Sequence, residues 1–411
     1  MNNDYDLIIV GAGLAGNCLA LALKDSGLRI ALVEAASRSQ LHDSPAGDRA
    51  LALAAGTVEL LRALNAWQNA ADKATAIRHI HVSDRGHFGK ARLAADDYAV
   101  DALGYVISAR DIEDEVATCV ETCGITCFYQ TRVVGTLSAH DEIHVSLKRG
   151  ESSINLSAKL LVGADGGQSS VRKLLDIPQR ATDYGQTALV TTVQASLPHH
   201  NTAYERFTSQ GPLALLPVAG KQLSVVWTRQ HEQAEDLMMG GEADFLAELQ
   251  ACFGYRLGEL RLTAPRRAFP LSLICAERMV SGRSVIIGNA VHQLHPVAGQ
   301  GFNLGIRDVA HLAELLNQQH RQQGDIGESA LLNRYARQRQ RDHDRTIGFT
   351  DNLVRIFSNE WLPLAALRNT GLTVLDHLPF AKRLLAHHAM GFAQTRPLEA
   401  GILHKRRSDN S

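Results

Sequence analysis

An excess of charge of either sign is missing from this sequence: 42 Lys and Arg face 43 Asp and Glu, for a formal net charge of -1. A chain with no basic excess projects no field toward a phosphate backbone, so no nucleic-acid partner is expected. Long apolar runs are absent as well. No stretch approaches the roughly 20 consecutive apolar residues of a membrane-spanning helix. The apolar stretch that begins at Leu7 follows Asp4 and Asp6, where a signal peptide would carry basic residues. A cytoplasmic protein is the expectation. Cysteine is scarce, with 6 in 411 residues. Cys119, Cys123 and Cys127 recur every four residues, which is neither a CxxC metal pair nor a disulfide framework. They read as small buried hydrophobes in a helix and the strand after it, consistent with a reducing compartment.

What is present is an ordinary globular composition, 45% hydrophobic and 21% charged, long enough for two or more packed domains. Residues 6–34, DLIIVGAGLAGNCLALALKDSGLRIALVE, hold an apolar run, glycines at Gly11, Gly13 and Gly16, a helical stretch, a second apolar run and a closing Glu34. This is the pattern of a dinucleotide-binding βαβ unit. Gly11 lets the chain turn sharply out of the strand, Gly13 leaves bare backbone for a pyrophosphate, and Gly16 lets the helix pack close to the sheet. The pyrophosphate would sit on the helix N-terminus, where unpaired N–H groups favour an anion. Glu34 falls where a carboxylate accepts hydrogen bonds from a ribose.

Downstream, the pattern predicts a helix near Ala54–Leu64, strands over 77–83 and 103–107, and a helix over 111–123. Residues 125–150 read as antiparallel β-structure with a turn near Ala139–Asp141. AKLLVGADGG at 158–167 reads as a strand ending in an acid-glycine turn, and SSVRKLL opens a helix. From Ala181 to Leu273 strands dominate (ALVTTVQA, PLALLPV, QLSVVWTR), with a helix over Ala243–Cys252. Residues 282–318 return to the first style, with strand SVIIG, a loop rich in Gly, His and Pro, and a helix opening at Gly301–Asn303. His292 and His295 have HxxH spacing, but without a third ligand they read as structural or cofactor-side hydrogen-bonding groups, and no metal is expected.

Three separated segments share one pattern: GAGLAG from Gly11, LVGADGGQSSVR at 161–172, and GRSVIIGNAVHQLHPVAGQGFNLGIRD at 282–308. Together they resemble the single-component FAD-dependent aromatic monooxygenases, the group typified by p-hydroxybenzoate hydroxylase. Within that group HPVAGQGFNLGIRD, ALAAGTVELLRALNAW, FTSQGPLALLPV and, most of all, ADKATAIRHIHVSDRGHFG at 71–89 resemble the ubiquinone-biosynthesis hydroxylases. The resemblance implies FAD as cofactor and NAD(P)H as a transient reductant, since only one dinucleotide fingerprint is present. It implies para hydroxylation of 2-polyprenyl-6-methoxyphenol to 2-polyprenyl-6-methoxy-1,4-benzoquinol by molecular oxygen, through a flavin hydroperoxide. A sibling hydroxylase acting at another ring carbon, an FAD-dependent prenyl reductase and a non-enzymatic flavin scaffold remain open alternatives. So does a place in a ubiquinone-biosynthesis protein complex.

The implied fold is α/β: a discontinuous Rossmann-like FAD-binding domain over 1–75, 100–180 and 275–345, and a β-sheet substrate domain over 76–99 and 181–274. A C-terminal helical region and tail span 346–411. Within 346–392, apolar residues interleave with Arg355, Arg368, Lys382 and Arg383, leaving open a peripheral contact at the inner membrane, a partner surface, or packing on the chain's own domain. The resemblance assigns Gly11, Gly13 and Gly16 to the pyrophosphate, Glu34 to the adenosine ribose and Arg49 to the phosphate and ribose region. Asp165 belongs to the second acid-glycine motif, and doubles as a helix cap on the residue reading. Asn289 stands where relatives usually have Asp on the ribityl chain, and Ala109 where they often have Arg or Gln, which raises Arg110 as a substitute. Gly299, Gln300, Gly301, Phe302 and Asn303 are expected to meet the isoalloxazine edge. Pro296, with Gly299 and Gln300, is expected beside the reacting ring. Phe207, Pro212 and Leu213 are candidates for the substrate wall.

Overall fold

The computed structural model describes residues 4–357 and, beyond them, 369–371, 373, 376–378, 380, 382–383, 386–387 and 390–391. Two large sheets organise these residues. In the first, of eight strands, Tyr5–Val10 pairs in parallel with Ile30–Val33 on one side and Ser152–Gly163 on the other, and Ser284–Ile286 extends the parallel set. Leu7, Ile8, Ile9, Ala31, Val33, Leu160 and Leu161 have no exposed surface. Helices cover this sheet, so both faces of its strands demand apolar residues and the sequence runs continuously hydrophobic there. Leu14–Leu23 packs against Ala109–Thr122 and Gln300–Arg321, and the buried apolar side chains of all three join one core. The hairpin Arg132–Ser138/Ile143–Arg149 continues antiparallel into Ser152–Gly163.

The second sheet has nine strands, among them His79–Asp84, Lys90–Ala94, Gln179–Ala195, Thr202–Phe207, Leu213–Pro217, Gln222–Gln230 and Arg267–Ala276. Its residues alternate. Leu189, Val193, Leu213, Leu215, Leu223, Val225 and Trp227 point to one face and form a core with Phe245, Leu249 and Phe253 of the helix Glu242–Phe253. The intervening Val190, Ala214, Leu216 and Val226 point the other way, into a cavity. A three-stranded sheet, Ala50–Ala54, Thr75–Ile77 and Gly104–Ser108, completes the fold.

Several elements differ from the sequence expectation. Thr202–Phe207 is a strand, hidden in the sequence because Glu205–Arg206 breaks its apolar alternation. The helix His231–Met239 precedes the expected one. His292–Gln293, expected with the FAD segments, pairs antiparallel with Arg267–Ala276 of the nine-stranded sheet and so stitches the Gly-, His- and Pro-rich loop to it.

The helix Ser329–Phe357 begins the C-terminal region. The expectation for the 346–392 segment falls in large part outside the described residues, including Arg368 and the Arg355 side chain, as does the tail from 392 on. The parts that are described pack on the chain's own second sheet. Asn369 accepts a hydrogen bond from the Gly89 N–H at 2.8 Å, and Asp376 pairs with Arg92 at 2.8 Å and Lys382 at 3.3 Å. Among the described residues no helix is long and apolar enough to cross a membrane.

Candidate active site

A cavity of roughly 1320 Å³ runs between the glycine turns of the first sheet and the free face of the second. Ligand sites typically measure about 300–1,000 Å³, so it has room for a large cofactor and a second molecule.

The first wall is backbone. Gly11 has φ +104°, and a Cβ there would stand 2.5 Å from the Ala164 carbonyl oxygen, so the first motif folds against the second only with glycine at this position. Gly13 caps the helix Leu14–Leu23, has open space where a Cβ would be and faces the cavity. No side chain caps that helix, which leaves its first N–H groups and the positive end of its dipole for an anion. Gly16 does not line the cavity. Its absent Cβ would lie 1.9 Å from the Gly11 carbonyl oxygen, so it packs helix on turn, the close-packing role that its place in the motif implies.

Carboxylates and amides hold the turns in shape. Glu34 accepts hydrogen bonds from the Ala12 and Ala36 N–H groups, each at 2.8 Å, which fixes its carboxylate at the cavity edge. Asp165 accepts from the N–H groups of Ser170 at 2.7 Å and Val171 at 3.1 Å, capping the helix Ser170–Leu174 while lining the cavity. Buried Arg172 donates to the Ala290 and Gly167 carbonyls, tying the second motif to the third. Arg49 lines the cavity with its guanidinium 5.9 Å from the Phe269 ring centroid. Ala109 also lines it, whereas Arg110 donates to Asp48 at 2.6 Å.

The third motif closes the cavity. Asn289, Pro296, Gly299, Gln300, Gly301, Phe302 and Asn303 all line it. Gly299, at φ +60°, caps the helix Gln300–Arg321, again with no side chain on the free N–H groups. The Asn303 side chain accepts from Ala54 N–H at 2.9 Å and the Thr57 hydroxyl at 2.7 Å, and donates to the carbonyls of Ala52 at 3.0 Å and Gly299 at 2.8 Å. The loop is therefore locked to the three-stranded sheet. Of the substrate-wall candidates, Phe207 lines the cavity, Leu213 sits in the core on the opposite face, and Pro212 is not among the lining residues.

The two histidines part company. His295 lines the cavity edge-on to Tyr184, and burial pushes its imidazole down to about 4. His292 lies 3.5 Å from Asp308, which also meets His343 and Arg339, both at 2.7 Å. Burial raises the Asp308 acid, but the His343 and Arg339 charges outweigh it and hold the carboxyl well below its usual range. His292, Asp308 and His343 have ligand-like proximity, yet Arg339 already supplies the cation, and the group reads as a buried ion-pair node joining the flavin loop to the last two long helices. Asp308 and His343 escape a sequence reading because 35 residues separate them and no short motif joins them.

FAD fits this first wall. Two uncapped helix N-termini, a glycine with open space beside it and a fixed carboxylate at the end of the second strand suit pyrophosphate, flavin edge and ribose in turn.

Comparison with known proteins agrees. The chain matches the FAD binding domain family model over residues 4–350. It is 37% identical over 96% of its length to the uncharacterized protein slr1300 of Synechocystis, covering 95% of that protein. It is 34% identical over 95% of its length to the ubiquinone hydroxylase UbiL of Rhodospirillum rubrum, covering 91% of it. In fold it is similar to the p-nitrophenol 4-monooxygenase PnpA of Pseudomonas putida, with a TM-score of 0.77 at 17% identity over 95% of this chain and 99% of that one. Family match, relatives and cavity converge, and the chain belongs to the FAD binding domain family as an FAD-dependent monooxygenase.

Proposed function

We propose that the protein hydroxylates a polyprenylated phenol of ubiquinone biosynthesis, converting 2-polyprenyl-6-methoxyphenol to 2-polyprenyl-6-methoxy-1,4-benzoquinol with NAD(P)H and molecular oxygen. One observation carries this reading: a single cavity joins the FAD cradle to a wide apolar wall of Ile80, Val82, Leu93, Ala214, Leu216 and Val226. An apolar, ring-bearing substrate suits that wall, and the name of the UbiL relative supplies the pathway.

When bound, FAD takes a hydride and delivers one oxygen atom of O2 to the ring. The chain's own groups do the rest. Gly13 and the helix behind it hold the pyrophosphate, Glu34 the ribose, and Arg49 the phosphate and ribose region, with Asn289 on the ribityl hydroxyls. Asp165 acts indirectly by fixing the second turn. Gly299, Gln300, Gly301, Phe302 and Asn303 present N–H groups and a positive helix end to the flavin's anionic edge. Pro296, with Gly299 and Gln300, borders the reacting ring. The apolar sheet orients the phenol and excludes water, which keeps oxidising equivalents from escaping as peroxide.

The test is oxygen-dependent turnover of the prenylated methoxyphenol by the FAD-loaded enzyme, with the product identified. The 1,4-quinol is expected. A resorcinol product, from hydroxylation at a carbon meta to the ring hydroxyl, would move the assignment to a sibling ring position, and NAD(P)H oxidation without ring hydroxylation would defeat it.

A further inference from the structure

The cavity face of the nine-stranded sheet contains one chemical anomaly. Its lining residues are Ile80 and Val82, Ala91 and Leu93, Ala188 and Val190, Ala203 and Phe207, Ala214 and Leu216, and neighbours of the same kind; among the described residues, the only charged side chain this sheet contributes is Glu205. Glu205 lies on Thr202–Phe207 between Ala203 and Phe207, opposite Val82 on one side and Ala214 on the other. Among the described residues it has neither a hydrogen-bond nor an ion-pair partner. The other carboxylates on the wall differ: Glu34 and Asp165 hold backbone N–H groups, and Glu113 feels Arg49 and Arg110. Phe207, two residues on, packs against Val297 of the flavin loop and Leu353, which places Glu205 beside the seam where Pro296 borders the cavity.

A carboxylate left unpaired in an apolar wall is costly, and an apolar residue would pack there at no such cost. Its retention is explained if an occupant of the cavity brings the missing donor. Resting on the phenol reading above, we propose that Glu205 is a catalytic residue that accepts the hydrogen bond, and then the proton, of the substrate's ring hydroxyl. In that transfer the ring O–H bond breaks, a new O–H bond forms on a Glu205 carboxylate oxygen, and the electron pair stays on the ring oxygen. Electron density rises at the ortho and para carbons, and of these only the para carbon is free to receive an oxygen atom. Burial pushes the Glu205 acid up to about 7, which makes its carboxylate a stronger base than an exposed one. Among the described residues, burial alone sets this shift and no charge acts on it from the packed elements. Val82, Ala214, Leu216, Phe349 and Leu353 are neutral, and His295 across the cavity is held neutral by burial.

The test compares the FAD-loaded wild type with Glu205→Gln and Glu205→Asp, using a 2-methoxyphenol that carries a short prenyl chain, and the methyl ether of that phenol. For wild type, kcat/KM is expected to rise with pH through about 7 and then level off. Glu205→Gln is expected to lose that limb and about 100-fold in kcat, while bound FAD is unchanged and Tm above neutral pH is at or above that of wild type. Glu205→Asp retains the limb at reduced rate, which keeps the test valid if the Gln variant loads FAD poorly. Wild type is expected to bind the phenol more tightly than its methyl ether, and Glu205→Gln to lose that preference. A Gln variant with wild-type rate and pH profile overturns the assignment of Glu205 while leaving the phenol reading intact. A wild-type holoenzyme that neither binds nor hydroxylates the phenol overturns both.

Discussion

On the cradle side the cavity meets main chain at Gly11, Gly13, Gly299 and Gly301, with helix N–H groups aimed inward, whereas on the sheet side it meets side chains such as Val82, Leu216 and Val226. The first wall recognises charge and hydrogen-bonding groups that every molecule of one cofactor shares. The second recognises shape and apolar surface, and its character changes with single side chains. A backbone site tolerates almost no change at its glycines, while a side-chain wall can be altered without disturbing the fold around it. Substitutions on the two sides should therefore separate cleanly.

The largest effect is expected on the cradle. Gly16→Val places a branched side chain where even a Cβ would stand 1.9 Å from the Gly11 carbonyl oxygen, so a loss of more than about 4 kcal/mol is expected. The readout is flavin absorbance of the purified protein, expected to be near zero. Retention of full FAD would show that the turn can open and would break the contrast.

Next is the ion-pair node behind the flavin loop. Asp308→Asn removes the buried carboxylate that meets Arg339, His343 and His292, leaving Arg339 with Asp342 alone, for an expected loss of about 3–5 kcal/mol in chemical unfolding. Because the Asp308 carboxyl is held below its ordinary value of 3.8, its contribution is fully present above that pH and fades as pH falls through the lower folded value. The gap between wild type and variant should therefore narrow in strong acid, and a constant gap would contradict the assignment.

Asn303→Ala removes a side chain that bonds the flavin loop to Ala52, Ala54 and Thr57. A stability loss of about 2 kcal/mol is expected from the buried groups left unpaired, with weaker FAD retention in dialysis. An unaltered FAD affinity would mean that the loop is held by packing alone.

The smallest and most selective effect lies on the sheet wall. Ala214→Phe fills cavity space opposite Glu205. FAD content and Tm should stay at wild-type levels while kcat/KM for the prenylated phenol falls about tenfold, equivalent to about 1.4 kcal/mol. Equal loss of FAD would erase the distinction between the walls.

Legibility in the sequence follows the same divide. The βαβ unit, the acid-glycine turn at Asp165 and the loop from Gly299 to Asn303 are local: each is a run of neighbouring residues whose backbone does the work, so spacing reveals the first two, and the family resemblance supplies the cofactor role of the third. Gly16 is legible in the same way, since its motif position implies close packing of the helix and its neighbours show that contact. The strand Thr202–Phe207 was illegible because Glu205 and Arg206 disguise its alternation, and the Asp308–Arg339–His343 node because its members are distant in the chain.

By itself, then, the sequence determined that a dinucleotide-type cradle forms and which glycine turns build it, because close backbone approach demands residues without side chains at fixed spacing. Only the tertiary structure decided which face of the second sheet looks into the cavity, and that Glu205 is the one charged side chain the sheet places there among the described residues. A strand's two faces are equivalent in sequence until helices such as Glu242–Phe253 bury one and leave the other to line the site.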